Sequence, residues 1–299
     1  MRKEIIEFLK MNDVKYKENV NLKEISPIKI GSNADILVYP NDESELINTL
    51  RFIQRLEFPY KILGRMSNAL PPNERYEPVI VKTDFMNSFG LSGNKLAVSA
   101  GVGLPYICSH LANLGFSGFE QLSGIPGSIG GALVGNAGAF GREISDVVDC
   151  IKAMDVMSGE IYVFSKGEAE FSYRSSAFCG SNFVIISASL NLKEADPQQI
   201  RSTINKYRHM RLERQPVGEP SLGSTFKRPN QNISAAKLID ECGLRGYKIG
   251  GAMVSHKHAG FIVNRGNATS QDYKLLCTHI QKCVYNKFSI SLEPEVEFL

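Results

Sequence analysis

The chain has 299 residues, 43% hydrophobic and 22% charged, which is enough to bury an ordered core and unlike a disordered chain. Its 34 basic and 31 acidic residues leave a net charge of +3, too even to imply a nucleic acid or an anionic membrane, although a local basic cluster can still serve a small anion. No apolar run reaches the length of a membrane span, and the opening MRKEIIEFLKMN does not read as a signal peptide because Glu4, Glu7 and Lys10 interrupt it.

In chain order, Ile5, Ile6, Phe8 and Leu9 suit one face of a short helix. Residues 34–39, ADILVY, read as a strand ended by Pro40. Residues 43–58 carry Leu46, Ile47, Leu50, Ile53 and Leu56 at helical spacing. PYKILG and PVIVKT are strands, KLAVSAG another, and LPYICSHLANLG a helix ended by Gly115. Strands follow at CIKAMDVM, GEIYVFS and NFVIISASLNL. Composition shifts near residue 195, where a polar helix starts after Pro197. Beyond it lie the helix AAKLIDECG, the strand AGFIVN, a long helix over residues 269–288 and a final strand SISLEPEVEFL. The order predicts an α+β protein with a boundary near residue 195.

None of the six cysteines (Cys108, Cys150, Cys179, Cys242, Cys277, Cys283) forms a CxxC pair, so reduced thiols in a cytoplasm are expected rather than disulfides or a metal site. His256 and His258 are two apart and lack zinc partners, so they are read as loop or surface residues and no metal is expected.

The stretch GIPGSIGGALVGNAGAFG, residues 124–141, holds seven of the 26 glycines and no charge. Such a segment accepts positive φ and lets a ligand touch main-chain N–H groups, as in an anion nest for a phosphate. A tight structural loop explains glycine richness as well. Neither a Rossmann nor a P-loop fingerprint is present. LGRMSN, residues 63–68, directly after a strand, is a second and weaker anion-turn candidate.

SGIPGSIGGALVGNAGAFGREISDV resembles the flavin-binding segment of the bacterial UDP-N-acetylenolpyruvoylglucosamine reductase family. EFSYRSSAF, QPVGEPSLGSTFKRP, AAKLIDECGLRGYKIGGAMVSHKHAGFIVN and SLEPEVEFL resemble the same family in the same order, from about Lys29 to the end. The short spacing between FSYRS and QPVGEPS is similar to the shorter type, which lacks an extra tyrosine-bearing loop. The resemblance implies a two-lobed FAD-binding unit of the vanillyl-alcohol oxidase (PCMH-like) kind over residues 1–194, with lobes at about 25–82 and 83–194. An α+β substrate-binding domain would follow over residues 195–299. It implies FAD as cofactor, NADPH as co-substrate and a UDP-sugar as substrate, in a cytoplasmic enzyme of peptidoglycan synthesis, with no obligate protein partner inferred.

By motif position, Arg174 would face the substrate carboxylate, Ser224 would donate the proton, and Glu295 would work beside the arginine. Taken alone, Arg174 reads as a surface strand residue, Ser224 as a turn serine, and Glu295 as one of three glutamates alternating on the solvated face of the last strand. The flavin is expected on Gly64, Ser67, Asn68, Gly124, Pro126, Gly127, Ser128, Gly130, Gly131, Asn136, Ala137 and Gly138. The diphosphate is expected on Arg214, Lys227 and Arg228, with Arg211 explained equally well as a solvated helix end. Tyr173 would pack on flavin or substrate, or serve as a buried strand aromatic.

Two stretches depart from the family pattern. In SPIKIGSNAD, Pro27 and Ile28 interrupt it and Ser32 replaces a glycine. In the first phosphate turn Met66 stands where the family has glycine. A methionine forced to positive φ costs about 1 kcal/mol. Its side chain would also obstruct the pyrophosphate, with Arg65 as a compensating cation, so Met66→Gly is expected to raise FAD affinity. The departures keep open a flavin-free paralogue that binds a UDP-sugar in a regulatory role and, further off, another flavoprotein oxidase or dehydrogenase.

Overall fold

The computed structural model describes residues 1–299. In the first part of the chain, Asp42 accepts the Glu45 N–H at 2.9 Å and starts the helix Glu43–Arg55. Leu46, Ile47, Leu50 and Ile53 form its buried stripe. The neighbouring sheet has the order Lys15–Asn21, Asn33–Tyr39, Val79–Lys82, Tyr60–Leu63, and its last three strands are parallel. Ile5 and Leu9 of the helix Arg2–Met11 join the same hydrophobic cluster as Ile36, Val38, Leu50 and Val81.

A second, antiparallel sheet runs Ile161–Ser165, Val148–Asp155, Phe183–Asn191, Lys95–Ser99, Phe89–Ser92. It shares a core of Leu96, Val98, Ile151, Ala188 and Leu190 with Ile107 and Leu111 of the helix Leu104–Asn113. Apart from residues 19–21 and 33–35, both sheets belong to one compact unit made of Met1–Glu18, Ile36–Arg65 and Glu77–His209.

The other unit comprises Asn19–Asp35, Met66–Tyr76 and Met210–Leu299. Its antiparallel sheet has the order Ser221–Ser224, Phe261–Asn264, Ala252–Val254, Lys248–Ile249. The helices Ala235–Glu241 and Ser270–Phe288 share its core; the longer one starts with a reciprocal Thr269–Asp272 capping box. Tyr273 on that helix is fully buried, and its hydroxyl lies 3.2 Å from Thr225 Oγ1. Burial pushes the Tyr273 phenol well above its ordinary value.

The units are discontinuous in sequence, unlike the contiguous division expected at residue 195. Residues 197–209 fall in the first unit because Ile200 and Ile204 pack against Ala112. Residues 19–35 and 66–76 fall in the second, where Ile28, Ile30 and Leu70 enter its core. The strand Lys15–Asn21 (KYKENVN) carries no apolar alternation and escaped sequence reading. The expected last strand shrinks to Glu297–Phe298, paired in parallel with Ala69–Leu70, because Pro294 has no N–H for a ladder. His256 is exposed as expected, whereas His258 is half-buried, with burial lowering its imidazole below the ordinary value.

All six cysteines are free thiols. Burial raises the thiols of Cys108 and Cys277, the latter to about 12, while Cys179 is exposed. A maleimide reagent applied to the native chain is expected to modify Cys179 within minutes and to reach Cys108 and Cys277 only in denaturant. Rapid native modification of either buried thiol, read by peptide mass, would contradict this packing.

Candidate functional site

The glycine-rich segment folds as a cap, a short helix and a hairpin. Ser128, 2% exposed, caps the helix Ile129–Val134 by accepting the Gly131 N–H at 3.4 Å. The paired strands Gly138–Ala139 and Arg142–Glu143 follow, joined by Phe140 and Gly141, whose φ values of 52° and 79° make the turn.

Four of the glycines divide into two groups. A Cβ on Gly130 would stand 2.9 Å from Ala100 Cβ, and one on Gly138 would stand 2.9 Å from the Arg142 carbonyl oxygen, so packing excludes a side chain at both. At Gly131 and Gly135 the nearest atoms would lie at 3.6 and 3.8 Å, an ordinary contact, and neither residue has positive φ. The protein's own packing and backbone therefore do not require glycine there, and a Cβ would fill space beside bare main chain. That cradle fits a cofactor laid directly on the backbone. Gly124 and Gly127 are half-buried, Pro126 is exposed, and Ala137 donates its N–H to the Ala132 carbonyl at 2.8 Å.

Asn136 has another task than the one expected. It is fully buried, at φ 40°, and its amide donates to Glu143 Oε2 at 2.8 Å and to the Ser172 carbonyl at 2.9 Å, while its oxygen accepts the Ser145 N–H at 3.3 Å. Its side chain braces the segment against the turn that carries Arg174. Glu143 was missed by sequence reading, because nothing local marks it as the partner of a buried amide.

Arg174 is not a strand residue. Ser172 and Ser175 exchange backbone hydrogen bonds of 3.1 and 3.2 Å, leaving Tyr173 and Arg174 at the tip of a two-residue turn. Arg174 has φ 56°, a conformation that costs a non-glycine residue about 1 kcal/mol. Its Nη2 donates to the Gly138 carbonyl at 3.2 Å, and its guanidinium lies 5.0 Å from the Tyr173 ring centre. Tyr173 is exposed rather than a buried strand aromatic.

In the turn over residues 64–68, a Cβ on Gly64 would collide with the Ser128 hydroxyl, so the turn and the glycine-rich segment touch through a bare Cα. The buried Lys82 donates to the Gly64 carbonyl at 2.7 Å and pairs with Asp84 at 3.0 Å; it too was missed, since a lysine ending a strand carries no special signal. Arg65 is exposed and lies against Gly103.

The second unit holds the remaining residues. Gly223, at φ 78°, precedes the half-buried Ser224 at the end of its strand. Glu295 is half-buried, not part of a solvated face, and donates its N–H to the Thr225 carbonyl at 2.8 Å, so Ser224 and Glu295 lie on adjoining chain segments. The Asn68 amide donates to the Glu295 carbonyl at 2.8 Å. Lys227 is ion-paired with Glu293 at 2.6 Å. Arg214 and Arg228 are exposed, whereas burial draws the Arg211 guanidinium below its ordinary value, unlike a solvated helix end.

The departures cost less than expected. Ser32 is not at positive φ, and Gly31 before it, at φ 139°, keeps the turn. Met66 does take φ 56°, and it is only 3% exposed, so its side chain is packed within the fold and not projected into solvent.

Residues 215–299 match the family profile of the UDP-N-acetylenolpyruvoylglucosamine reductase C-terminal domain, and residues 34–165 match that of an FAD-binding domain. The UDP-N-acetylenolpyruvoylglucosamine reductase of Caldanaerobacter subterraneus is 39% identical over 94% of this chain and 92% of its own. The crystal structure of UDP-N-acetylenolpyruvylglucosamine reductase from Thermus caldophilus superposes with a TM-score of 0.80 at 31% identity, covering 95% of this chain and 98% of that one. Berberine bridge enzyme from Eschscholzia californica shares the fold alone, with a TM-score of 0.51 at 16% identity over 64% of this chain and 44% of its own.

Met66→Gly is expected to lower unfolding free energy by about 1–4 kcal/mol, since the loss of a buried side chain outweighs the relief of about 1 kcal/mol of strain. FAD affinity should stay within about threefold. Guanidinium unfolding and titration of flavin fluorescence measure the two quantities, and a large gain in affinity would restore the obstruction.

Proposed function

The chain belongs to the UDP-N-acetylenolpyruvoylglucosamine reductase family, and from that premise we propose which of its residues perform the reaction. The reaction is the FAD-dependent reduction of UDP-N-acetylglucosamine enolpyruvate to UDP-N-acetylmuramate, a step of peptidoglycan precursor synthesis. NADPH is the electron donor, and the enzyme works in the cytoplasm. The relationship over 94% of the chain carries this reading.

FAD, when bound, supplies a carrier that accepts hydride from NADPH and delivers it to the enolpyruvyl group. Gly124, Gly127, Gly131 and Gly135 hold it with bare main chain, and the open side of Gly131 and Gly135 supports that role. Gly130 and Gly138 shape the segment from within. Gly64 and Ser67 belong to the first phosphate turn, which Lys82 stiffens from behind.

The chemical demand on the protein is to offset charge and deliver a proton. Negative charge builds on the carbon beside the substrate carboxylate, and the Arg174 guanidinium offers a planar pair of donors to it. The strained turn at Arg174 fixes where that guanidinium starts from. The Ser224 hydroxyl gives its proton to that carbon; a hydroxyl is a weak acid in water but serves a strongly basic carbanionic centre within hydrogen-bond reach. Glu295 hydrogen-bonds the developing enol and orients its neighbours. Arg214 and Arg228 meet the diphosphate of the UDP-sugar. Lys227, already offset by Glu293, contributes less to it than its position in GSTFKRP implied. Tyr173 stacks on the ligand that Arg174 faces.

Ser224→Ala should leave reduction of the flavin by NADPH at its original rate and slow its reoxidation by the enolpyruvyl nucleotide by at least about 100-fold, the scale of a lost proton donor. Stopped-flow absorbance of the two half-reactions separates them. Equal slowing of both would remove Ser224 from the role of proton donor.

A further inference from the structure

Asn68 ends the stretch Gly64–Asn68 assigned to the cofactor, yet its side chain is aimed elsewhere. Its Nδ2 donates to the Glu295 carbonyl at 2.8 Å, and its own carbonyl accepts the Glu297 N–H at 2.9 Å. Ala69–Leu70 then pairs in parallel with Glu297–Phe298, and the Leu299 N–H reaches the Leu70 carbonyl at 3.1 Å. On the other side, the Glu295 N–H goes to the Thr225 carbonyl at 2.8 Å and the Lys227 N–H to the Glu293 carbonyl at 2.9 Å. Both main-chain polar groups of Glu295 are thus engaged, one by the residue after Ser224 and one by Asn68.

These two holds differ in what they ask of the sequence. Backbone pairing with Thr225 can be made by almost any residue. The contact from Asn68 needs a side-chain donor of asparagine's reach, since aspartate presents an oxygen to the carbonyl and alanine presents nothing. The left-handed Met66, two residues upstream, completes the aim: the turn it starts is closed by the Ala69 N–H on the Met66 carbonyl at 3.4 Å.

We propose that Asn68 is a positioning residue for the reducing step. It fixes the main chain of Glu295, and through it the carboxylate, rather than binding the flavin with its side chain. The proposal rests on the reading of Glu295 as a participant in that step.

The test uses the full chain loaded with FAD, with Asn68→Ala and the equal-sized Asn68→Asp compared with the parent. Both variants should keep FAD affinity within about threefold and reduction by NADPH unchanged, and slow reoxidation by the enolpyruvyl nucleotide about 3- to 10-fold, the scale of one hydrogen bond. In a Glu295→Gln background, Asn68→Ala should add no further loss, because it acts through that carboxyl. Amide exchange over residues 293–299 should be at least about tenfold faster in Asn68→Ala and unchanged elsewhere in the chain. A drop of tenfold or more in FAD affinity with both half-reactions intact would make Asn68 a cofactor ligand and overturn the proposal. Additive losses in the double variant, or unchanged exchange over 293–299, would also overturn it. Should Glu295→Gln reoxidise as fast as the parent, the catalytic reading of Glu295 falls, and the exchange measurement still decides whether Asn68 holds that segment.

Discussion

Thr225 is the point on which the placing of Glu295 in the second unit depends. Its N–H bonds the Gly260 carbonyl and its carbonyl takes the Glu295 N–H, both at 2.8 Å. Its hydroxyl lies 3.2 Å from that of Tyr273 and accepts the Ile262 N–H at 3.3 Å. A fully buried phenol left without a partner would forfeit roughly 1–3 kcal/mol, so the pair ties the strand after Ser224 to the long helix. The position of Glu295 beside Ser224 follows from that attachment more than from any preference of its own segment, which is too interrupted by Pro294 to form a strand.

In the first unit the corresponding constraint is steric. Gly138 and Gly130 are glycines because neighbouring atoms occupy the space of a Cβ. Close packing on that side of the segment holds its other side, at Gly131 and Gly135, as accessible main chain. Asn136 completes the arrangement by spending both amide donors and accepting one N–H internally, which joins the segment to the Tyr173–Arg174 turn. Arg174 and Met66 both sit in a left-handed conformation, strain that persists where surrounding contacts over-determine the backbone.

Charge is distributed with the same division of labour. Lys82 and Lys227 are committed to partners within the fold, and burial penalises the charged form of Arg211. Arg214 and Arg228 are exposed. A basic cluster in the sequence therefore resolves into buried, ion-paired and exposed members only once neighbours are known.

The sequence by itself determined that helices lie within residues 43–58 and 269–288, the apolar strands, the α+β class and the ordered motifs that hold Arg174, Ser224 and Glu295. Those features are written in residues a few places apart, where helical period, proline and glycine act directly. It did not reveal the polar strand Lys15–Asn21 or the interleaving of the two units, because their stability comes from distant partners. Only the tertiary structure decided that Asn68 serves Glu295, 227 residues away, that Lys227 is held by Glu293, 66 away, and that Asn136 braces Ser172, 36 away. Met66 was legible as an anomaly and not as a solution: a local rule registers the strain of positive φ, while the packing that accommodates the side chain belongs to the folded chain as a whole.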